Sequence, residues 1–208
     1  MKDQINAEEF QEMLTKEPDV WNLTGEKHWI EHQSLGLSYQ CPMIWPPAGR
    51  EETVPEYLKR IPDELPSYYL LMVQLGAAAL GYAEEGEFIA HKAIKKYMKR
   101  QKRGKAQIGY LKTRGKSKAG SRIRLANTER FFEEINERVR DWEELYDSPE
   151  YIFISATPNV WGMMYQAEPS PPFRKKDPRI RRVPFDVGVP DFRQLQNIGG
   201  KLSMAIRR

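Results

Sequence analysis

The sequence predicts an α/β fold, with a mixed β-sheet of about five strands flanked by helices. Three apolar runs have the length and the β-favouring composition of strands: residues 68–74, 77–83 and 87–91. Apolar side chains then recur three, four or seven residues apart from Leu125 to Tyr146, which is the spacing of one face of a long helix. An apolar run over residues 151–156 predicts a further strand, so strands and a helix alternate along the chain.

The connections between these elements contain turn signals. Glu84-Glu85-Gly86 predicts a tight hairpin, since glycine adopts the positive φ that such a turn requires. Beyond His91 the apolar residues have helical spacing, but an edge strand that projects from the sheet fits the same residues. Three later elements are predicted: a short strand at 161–165, a surface loop at 169–178, and a last helix at 191–206 interrupted by Gly199-Gly200.

Proline content divides the chain. Seven prolines lie within residues 1–66, which predicts an N-terminal extension of short elements, whereas the domain predicted for residues 67–208 begins with a long proline-free region. Asn6 is expected to cap a helix over residues 7–16, and a second short helix is expected at 54–61. Four apolar side chains are expected to pack the extension onto the domain: Trp21, Trp29, Ile44 and Trp45.

The bulk composition indicates a soluble cytoplasmic protein. Apolar residues make up 40% of the chain and charged residues 30%, and no run of about 18 apolar residues could cross a bilayer. Acidic residues stand near the N-terminus where a secretory signal needs an apolar core. The single cysteine, Cys41, excludes an internal disulfide framework and fits a reducing compartment. A monomer without membrane contact is expected.

The basic residues are concentrated in one part of the chain. Residues 91–124 contain 14 Lys or Arg and no Asp or Glu, whereas the rest of the chain has 19 basic and 29 acidic residues. Such segregation is unfavourable through self-repulsion unless a polyanion binds the basic segment. Nucleic acid is therefore the predicted partner. Residues 99–120, which are rich in glycine and basic side chains, are predicted to form a mobile loop.

A metal site or cofactor is not predicted. His28 and His32 are four residues apart, but no third ligand lies nearby in the sequence. A metal-dependent nuclease would need a cluster of strand-borne carboxylates, and the predicted strands do not supply one.

A series of motifs connects the predicted sheet to the long helix. In order they are His91-Lys92 at a strand end, Tyr97 with Arg100 three residues later, a Gly-x-x-Gln sequence from Gly104 to Gln107, Lys116 to Ser121, and then Arg124 and Asn127. The series resembles the release-factor-like domain of the ankyrin-repeat and zinc-finger peptidyl-tRNA hydrolase family of ribosome quality control. That domain is itself similar to the middle domain of eukaryotic and archaeal class-1 release factors. Over roughly residues 68–206, the chain looks like a stand-alone bacterial version.

The resemblance implies a ribonuclease-H-like release factor middle-domain fold for residues 67–208. The sequence departs from the family pattern at two positions. Lys105 stands where many relatives have a second glycine, and Lys96 stands where relatives have arginine. Lysine keeps the charge, but it lacks the planar fork that binds a phosphate through two hydrogen bonds.

The resemblance also implies roles for individual residues. A glutamine amide does not titrate near neutral pH, so Gln107 would orient the attacking group and hydrogen-bond a developing oxyanion, while Gly104 lets the backbone approach the tRNA. For a phosphoryl reaction, His91 would act as acid or base, and Lys96 and Arg100 would stabilise the charged transition state. The remaining cations are expected to bind RNA phosphates: Lys99, Lys102, Arg103, Lys105, Lys112, Arg114, Lys116, Lys118, Arg122 and Arg124.

Two reactions suit these residues. Either water attacks the ester that joins the peptide to tRNA, or a ribose 2′-hydroxyl attacks a neighbouring phosphate and cuts the tRNA near its CCA end. Both make the chain a ribosome-associated peptidyl-tRNA hydrolase or tRNA 3′-end endonuclease that frees nascent chains from stalled large subunits. Its partners would be ribosomal RNA at the peptidyl transferase centre and the CCA end of peptidyl-tRNA. The alternative is a non-catalytic ribosome factor that uses the basic loop only to bind ribosomal RNA and tRNA.

Overall fold

A computed structural model describes residues 3–24, 28–49, 51–96 and 116–207; for residues 116–125 it describes the backbone only. The described residues form ten strands and five α-helices. The strands are β1 (Gln4–Asn6), β2 (Trp21–Leu23), β3 (Trp29–His32), β4 (Ser38–Gln40), β5 (Tyr68–Gln74), β6 (Ala77–Glu84), β7 (Glu87–Lys95), β8 (Tyr151–Ser155), β9 (Ile180–Arg182) and β10 (Met204–Arg207). The helices are α1 (Ala7–Lys16), α2 (Val54–Leu58), α3 (Lys116–Leu145), α4 (Pro158–Met164) and α5 (Phe192–Leu202).

The chain divides into two compact units. The first unit consists of Met1–Ser67, Ala83–Phe88 and Gln196–Arg208, and the second unit consists of Tyr68–Tyr82 and Ile89–Leu195. The described strands form two five-stranded sheets; all strands of the first sheet lie in the first unit, and the strands of the second sheet lie mainly in the second unit. The α/β class and the five-stranded mixed sheet are confirmed, and the additional sheet is built mainly from residues for which the sequence predicts only an extension. None of the described helices combines the length and the apolarity that a membrane span requires.

The first sheet is antiparallel and has the strand order β1-β10-β4-β3-β2. Helix α1 packs against this sheet, beside β1 and β10. The side chain of Asn6 accepts a hydrogen bond from the backbone of Glu9 at 2.8 Å and so caps the helix as predicted. Phe10 and Leu14, one helical turn apart, are fully buried. The ring of Trp45 lies 5.8 Å from that of Phe10 and is itself buried, so residues of the predicted extension form a core of their own.

The C-terminal residues correct one prediction. A helix was expected over residues 191–206, but α5 ends at Leu202 and Met204–Arg207 form β10. These last residues lie between β1 and β4, which satisfy backbone hydrogen bonds on both sides of the strand. Gly199-Gly200 lies inside α5 and does not interrupt it.

The second sheet is mixed and has the strand order β7-β6-β5-β8-β9. Strand β8 runs parallel to β5 and to β9. The predicted turn between β6 and β7 is confirmed, because Glu85 and Gly86 both have positive φ values of 50° and 83°. Strand β7 continues through Lys95, so the edge strand, and not a helix, is the structure that residues 91–95 adopt.

The core of the second unit lies between the sheet and α3. Alternate residues of β5, among them Tyr69 and Leu71, share one buried cluster with an α3 stripe. The stripe matches the predicted one where side chains are described: Phe132, Ile135, Val139 and Trp142 are buried, and Tyr146 packs against them. Core packing therefore accounts for the apolar spacing of this helix.

Two local predictions in the second unit are wrong. The strand expected at residues 161–165 is instead α4, which begins after Thr157; the Thr157 hydroxyl accepts a hydrogen bond from the backbone of Val160 at 3.3 Å, and Pro158 occupies the first helical turn. The loop expected at 99–120 is helical over its last five residues, because α3 begins at Lys116. Lysine and alanine favour helix, and a helix already packed at its other end extends easily. Residues 97–115 lie outside the described residues.

Candidate functional site

The candidate site is built around β7, the edge strand from which the basic segment continues. Side chains of β7 alternate between two environments: His91, Ala93 and Lys95 are exposed, whereas Ile94 is buried in the cluster that contains α3. The exposed series and the buried series therefore lie on opposite faces of the sheet.

His91 lies on the exposed face and contacts an aromatic side chain. Its imidazole stacks on the ring of Phe192, the first residue of α5, with 4.1 Å between ring centroids and 28° between ring planes. The Phe192 side chain is itself 37% exposed. This contact orients the imidazole while the strand leaves it accessible to a ligand.

Lys96 follows β7 and is held on the other face. Its ammonium group lies 2.9 Å from a carboxylate oxygen of Glu134 and donates to the backbone oxygen of Arg130 at 3.0 Å, both on α3. Its backbone N–H donates to the oxygen of Gly76, in the turn between β5 and β6, at 3.0 Å. Lys96 thus joins three elements at the point where the basic segment leaves the sheet.

The described structure does not bring His91 and Lys96 together. Five residues of extended chain span about 16 Å at roughly 3.3 Å per residue. In addition, the two side chains have different neighbours, α5 for His91 and α3 for Lys96. A single reacting group cannot contact both without a rearrangement at the end of β7.

The other predicted catalytic residues, Arg100, Gly104 and Gln107, lie outside the described residues. The same holds for six predicted RNA-binding residues: Lys99, Lys102, Arg103, Lys105, Lys112 and Arg114. The structure places the remaining four in the first three turns of α3: Lys116, Lys118, Arg122 and Arg124.

His32 and Cys41, both in the first unit, have structural environments. The Nδ1 atom of His32 accepts hydrogen bonds from the backbones of Ser34 and Leu35, both at 3.2 Å, and its ring packs edge-on against Trp21. Burial raises the pKa of the Cys41 thiol to about 12, so it is not a ready nucleophile. Among the residues described, no three histidine, cysteine, aspartate or glutamate side chains are grouped to hold a metal ion.

Sequence analysis missed two features near the sheet edges. Phe192 follows His91 by about one hundred residues, and no local pattern connects them. A second basic group lies at residues 174–182, which contain six Lys or Arg and only Asp177 as an acid. A count of charged residues along the sequence would have identified this group. The prolines around it instead favour the interpretation as a surface loop and indicate no function.

Comparison with known proteins identifies the family. A family model described as "Bacteroidetes VLRF1 release factor" matches residues 68–206. The mouse protein named "tRNA endonuclease ANKZF1" is 25% identical over 171 residues, which is 80% of this chain and 22% of the relative. The fission yeast (Schizosaccharomyces pombe) protein "tRNA endonuclease vms1" is 30% identical over 98 residues, 47% of this chain and 16% of the relative. This chain therefore spans about a fifth of the length of these relatives.

One solved structure has a similar fold. It is described as "Vms1 mitochondrial localization core", and it superposes with a TM-score of 0.51 and 15% identity over 96% of this chain and 80% of that chain. The structural likeness shows a shared fold, and the family match spans the whole of the second unit together with parts of the first. The protein belongs to the Bacteroidetes VLRF1 release factor family.

Proposed function

We propose that this protein frees nascent chains from stalled large ribosomal subunits by cutting the peptidyl-tRNA near its CCA end. One observation carries the proposal: an acid-free segment with 14 basic residues, which includes the Gly-x-x-Gln motif, lies within the region matched by a release factor family. A polyanion is the partner that such a segment favours. The names of the mouse and yeast relatives, tRNA endonucleases, support tRNA as that polyanion and strand cleavage as the reaction.

The proposed cleavage uses the tRNA's own ribose as nucleophile. The 2′-oxygen bonds to the adjacent phosphorus and the bond from phosphorus to the 5′-oxygen breaks, which leaves a 2′,3′-cyclic phosphate and a 5′-hydroxyl. A base removes the 2′-proton and an acid protonates the departing 5′-oxygen. The nascent chain then departs together with the terminal nucleotides. No metal ion is required for this balance of atoms and protons.

The proposed roles follow from side-chain chemistry. Gln107 positions the 2′-hydroxyl or the phosphate through its amide, and Gly104 lets the backbone approach the RNA. Arg100 stabilises negative charge on the phosphorus oxygens. His91 is the candidate acid or base, and its exposed position on β7 supports access to RNA. Lys96 forms an ion pair with Glu134. This contact supports a role in fixing the start of the basic segment, and it favours that role over direct contact with phosphate.

Ester hydrolysis is the second candidate reaction. The description of the matched family as a release factor favours it, since release in termination is attack of water on the ester between peptide and tRNA. Gln107 would then orient the water and donate to the carbonyl oxygen, and His91 would have no necessary part. The two reactions leave different tRNA 3′ ends, which makes them separable by experiment.

The test uses purified large subunits that carry radiolabelled peptidyl-tRNA. We expect the wild-type protein to release the peptide and the Gln107→Leu variant to release at least about 100-fold less, a loss comparable to removing one oxyanion donor. The matched control is Gln101→Leu, the same chemical change within the same basic segment, which should retain wild-type release. Analysis of the tRNA 3′ end distinguishes a cyclic phosphate from an intact CCA end.

The outcomes separate the candidates clearly. An intact CCA end on the released tRNA would replace strand cleavage with ester hydrolysis. Absence of release by the wild type, with tight binding retained by both variants, would identify a non-catalytic binding factor. Equal loss in Gln101→Leu and Gln107→Leu would remove Gln107 from its proposed role.

A further inference from the structure

The second basic group, residues 174–182, ends on strand β9 of the second sheet. Strand β9 forms one edge of the second sheet, and β7, which precedes the basic segment, forms the other. Four steps between neighbouring strands separate them, or about 19 Å at roughly 4.8 Å per step. A ligand that contacts both edges must therefore be large.

The single acid in this group is already neutralised. The guanidinium of Arg179 contacts both carboxylate oxygens of Asp177, at 2.9 and 3.0 Å, and its hydrogen bonds hold the pKa of that carboxyl below its usual range. Arg179 also donates to the Ser148 hydroxyl at 2.6 Å. This pair therefore serves the loop itself, and the group contains five further basic residues but no second acid.

Three consecutive cations of the group are exposed: Arg174, Lys175 and Lys176. Neither lysine forms an ion pair with any residue that the structure describes. Arg182, exposed at the end of β9, donates to the backbone oxygen of Ala156 at 3.4 Å and keeps most of its donors available.

The backbone under these cations is held in place. Phe173, immediately before them, is buried in the core, and its backbone oxygen accepts from the Tyr165 hydroxyl at 3.2 Å. A turn follows, closed by a hydrogen bond of 3.0 Å from the backbone of Asp177 to that of Arg174. Ile180 then pairs with Ile152 of β8. The cations are thus presented by a preorganised loop, which lowers the entropy lost on binding.

The surroundings favour RNA over an acidic protein. The large apolar side chains that are exposed among the described residues include none between residues 174 and 182. A protein-docking surface usually has an apolar centre, whereas contacts to an RNA backbone are charged and polar. We propose that Arg174, Lys175, Lys176 and Arg182 form a second RNA-binding surface, which contacts phosphates at the sheet edge opposite β7. The choice of RNA as the ligand rests on the proposed function, whereas the position of the surface does not.

The test compares two double variants that remove the same charge. Lys175→Ala with Lys176→Ala alters the proposed surface, and Lys16→Ala with Lys59→Ala alters exposed lysines of the first unit. Binding is measured across salt concentrations in two arms, deacylated tRNA and purified large subunits. These arms distinguish tRNA from ribosomal RNA as the source of the phosphates, and neither requires catalysis, so the result is independent of whether the protein cleaves.

We expect the Lys175/Lys176 variant to bind at least one RNA about ten-fold more weakly near physiological salt. The slope of log affinity against log salt should fall in magnitude by about 1.4 to 1.8, the value for two lost phosphate contacts. The Lys16/Lys59 variant should change affinity less than two-fold, and both should keep the wild-type melting temperature. Equal effects of the two variants, or no effect in either arm, would overturn the proposal. Binding of both variants to poly-glutamate is measured in parallel, and loss of that binding alone would overturn the proposal in favour of an acidic protein partner.

Discussion

Residues 116–124 of α3 contain four basic and no acidic side chains, whereas residues 129–145 of the same helix contain seven acidic and three basic ones. The second half also carries the buried stripe, with Ile135 fully buried and Trp142 only 3% exposed. One continuous helix therefore has two parts. Packing against the core explains the composition of residues 129–145, and binding of an anion would explain the composition of residues 116–124.

The difference shows how stability and binding are divided in this molecule. Burial of an apolar stripe explains why the second half is helical, since packing supplies most helical stability in proteins. The closely spaced like charges in the first half contribute nothing comparable and repel one another unless an anion is present. Changes in the second half should therefore affect folding, and changes in the first half should affect RNA binding.

The largest expected effect is in the packed half. Trp142→Ala removes a buried ring that lies 6.0 Å from the ring of Tyr69, and it should lower the free energy of unfolding by about 3 to 5 kcal/mol. Leu145→Ala is the matched control, because Leu145 lies on the same helix but is 71% exposed, and it should change stability by less than about 0.5 kcal/mol. Urea denaturation measures both. Equal stability of the two variants would contradict the assignment of folding stability to the buried stripe of α3.

The next effect is in the basic half. Lys118→Glu with Arg122→Glu should weaken RNA binding about 100-fold near physiological salt, because two phosphate contacts become repulsive. The melting temperature should remain close to that of the wild type. Fluorescence anisotropy with deacylated tRNA measures the affinity, and Lys16→Glu with Lys59→Glu supplies the same charge change elsewhere. If the Lys118/Arg122 variant melts at a much lower temperature but binds tRNA with unchanged affinity, this half of α3 contributes to folding and not to RNA binding.

A polar contact in the packed half should have an intermediate effect. The buried amide of Asn136 donates to the backbone oxygens of Met164 and Pro169, both at 2.8 Å. Asn136→Ala leaves these oxygens without their donor and should lower the free energy of unfolding by about 1 to 3 kcal/mol. The exposed Asn159 provides the control, Asn159→Ala. If both variants unfold at the same urea concentration, Asn136 does not fasten α3 to the elements that follow.

The smallest expected stability effect concerns the ion pair that joins the packed half of α3 to Lys96, at the end of β7. Lys96 and Glu134 have side chains that are 27% and 38% exposed, so Glu134→Gln should cost less than about 1 kcal/mol. The Glu134→Gln variant is more informative in the peptide-release assay, where it distinguishes two roles of Lys96. If Lys96 positions the basic segment, Glu134→Gln and Lys96→Gln should reduce peptide release to similar extents. If Lys96 contacts phosphate directly, only Lys96→Gln should reduce release.

Local signals in the sequence predicted much of the second sheet and little of the first. The strand at residues 68–74 was predictable because a run of apolar residues favours a buried strand. The turn at Gly86 was predictable because glycine readily adopts a positive φ. Residues 204–207 have no such signal; they form a strand because β1 and β4 lie on either side of them. For the same reason, short strands such as β2 and β4 were not predictable inside a proline-rich region.

The candidate site divides in the same way. The motif series from His91 to Gln107 predicts the family from the sequence alone, and the family match covers that region. The contact of His91 with Phe192 and the ion pair of Lys96 with Glu134 depend on distant parts of the chain. The roles assigned to these residues stay predictions.

By itself, the sequence determined the class of fold, the position of the basic segment and the family, because periodicity, charge and motif order are properties of neighbouring residues. Only the tertiary structure decided that His91 stacks on Phe192 and Lys96 pairs with Glu134, that the last strand joins the N-terminal sheet, and that a second group of cations is held at β9. Each of these depends on which distant segments supply hydrogen bonds or ring contacts, and no local pattern encodes that choice.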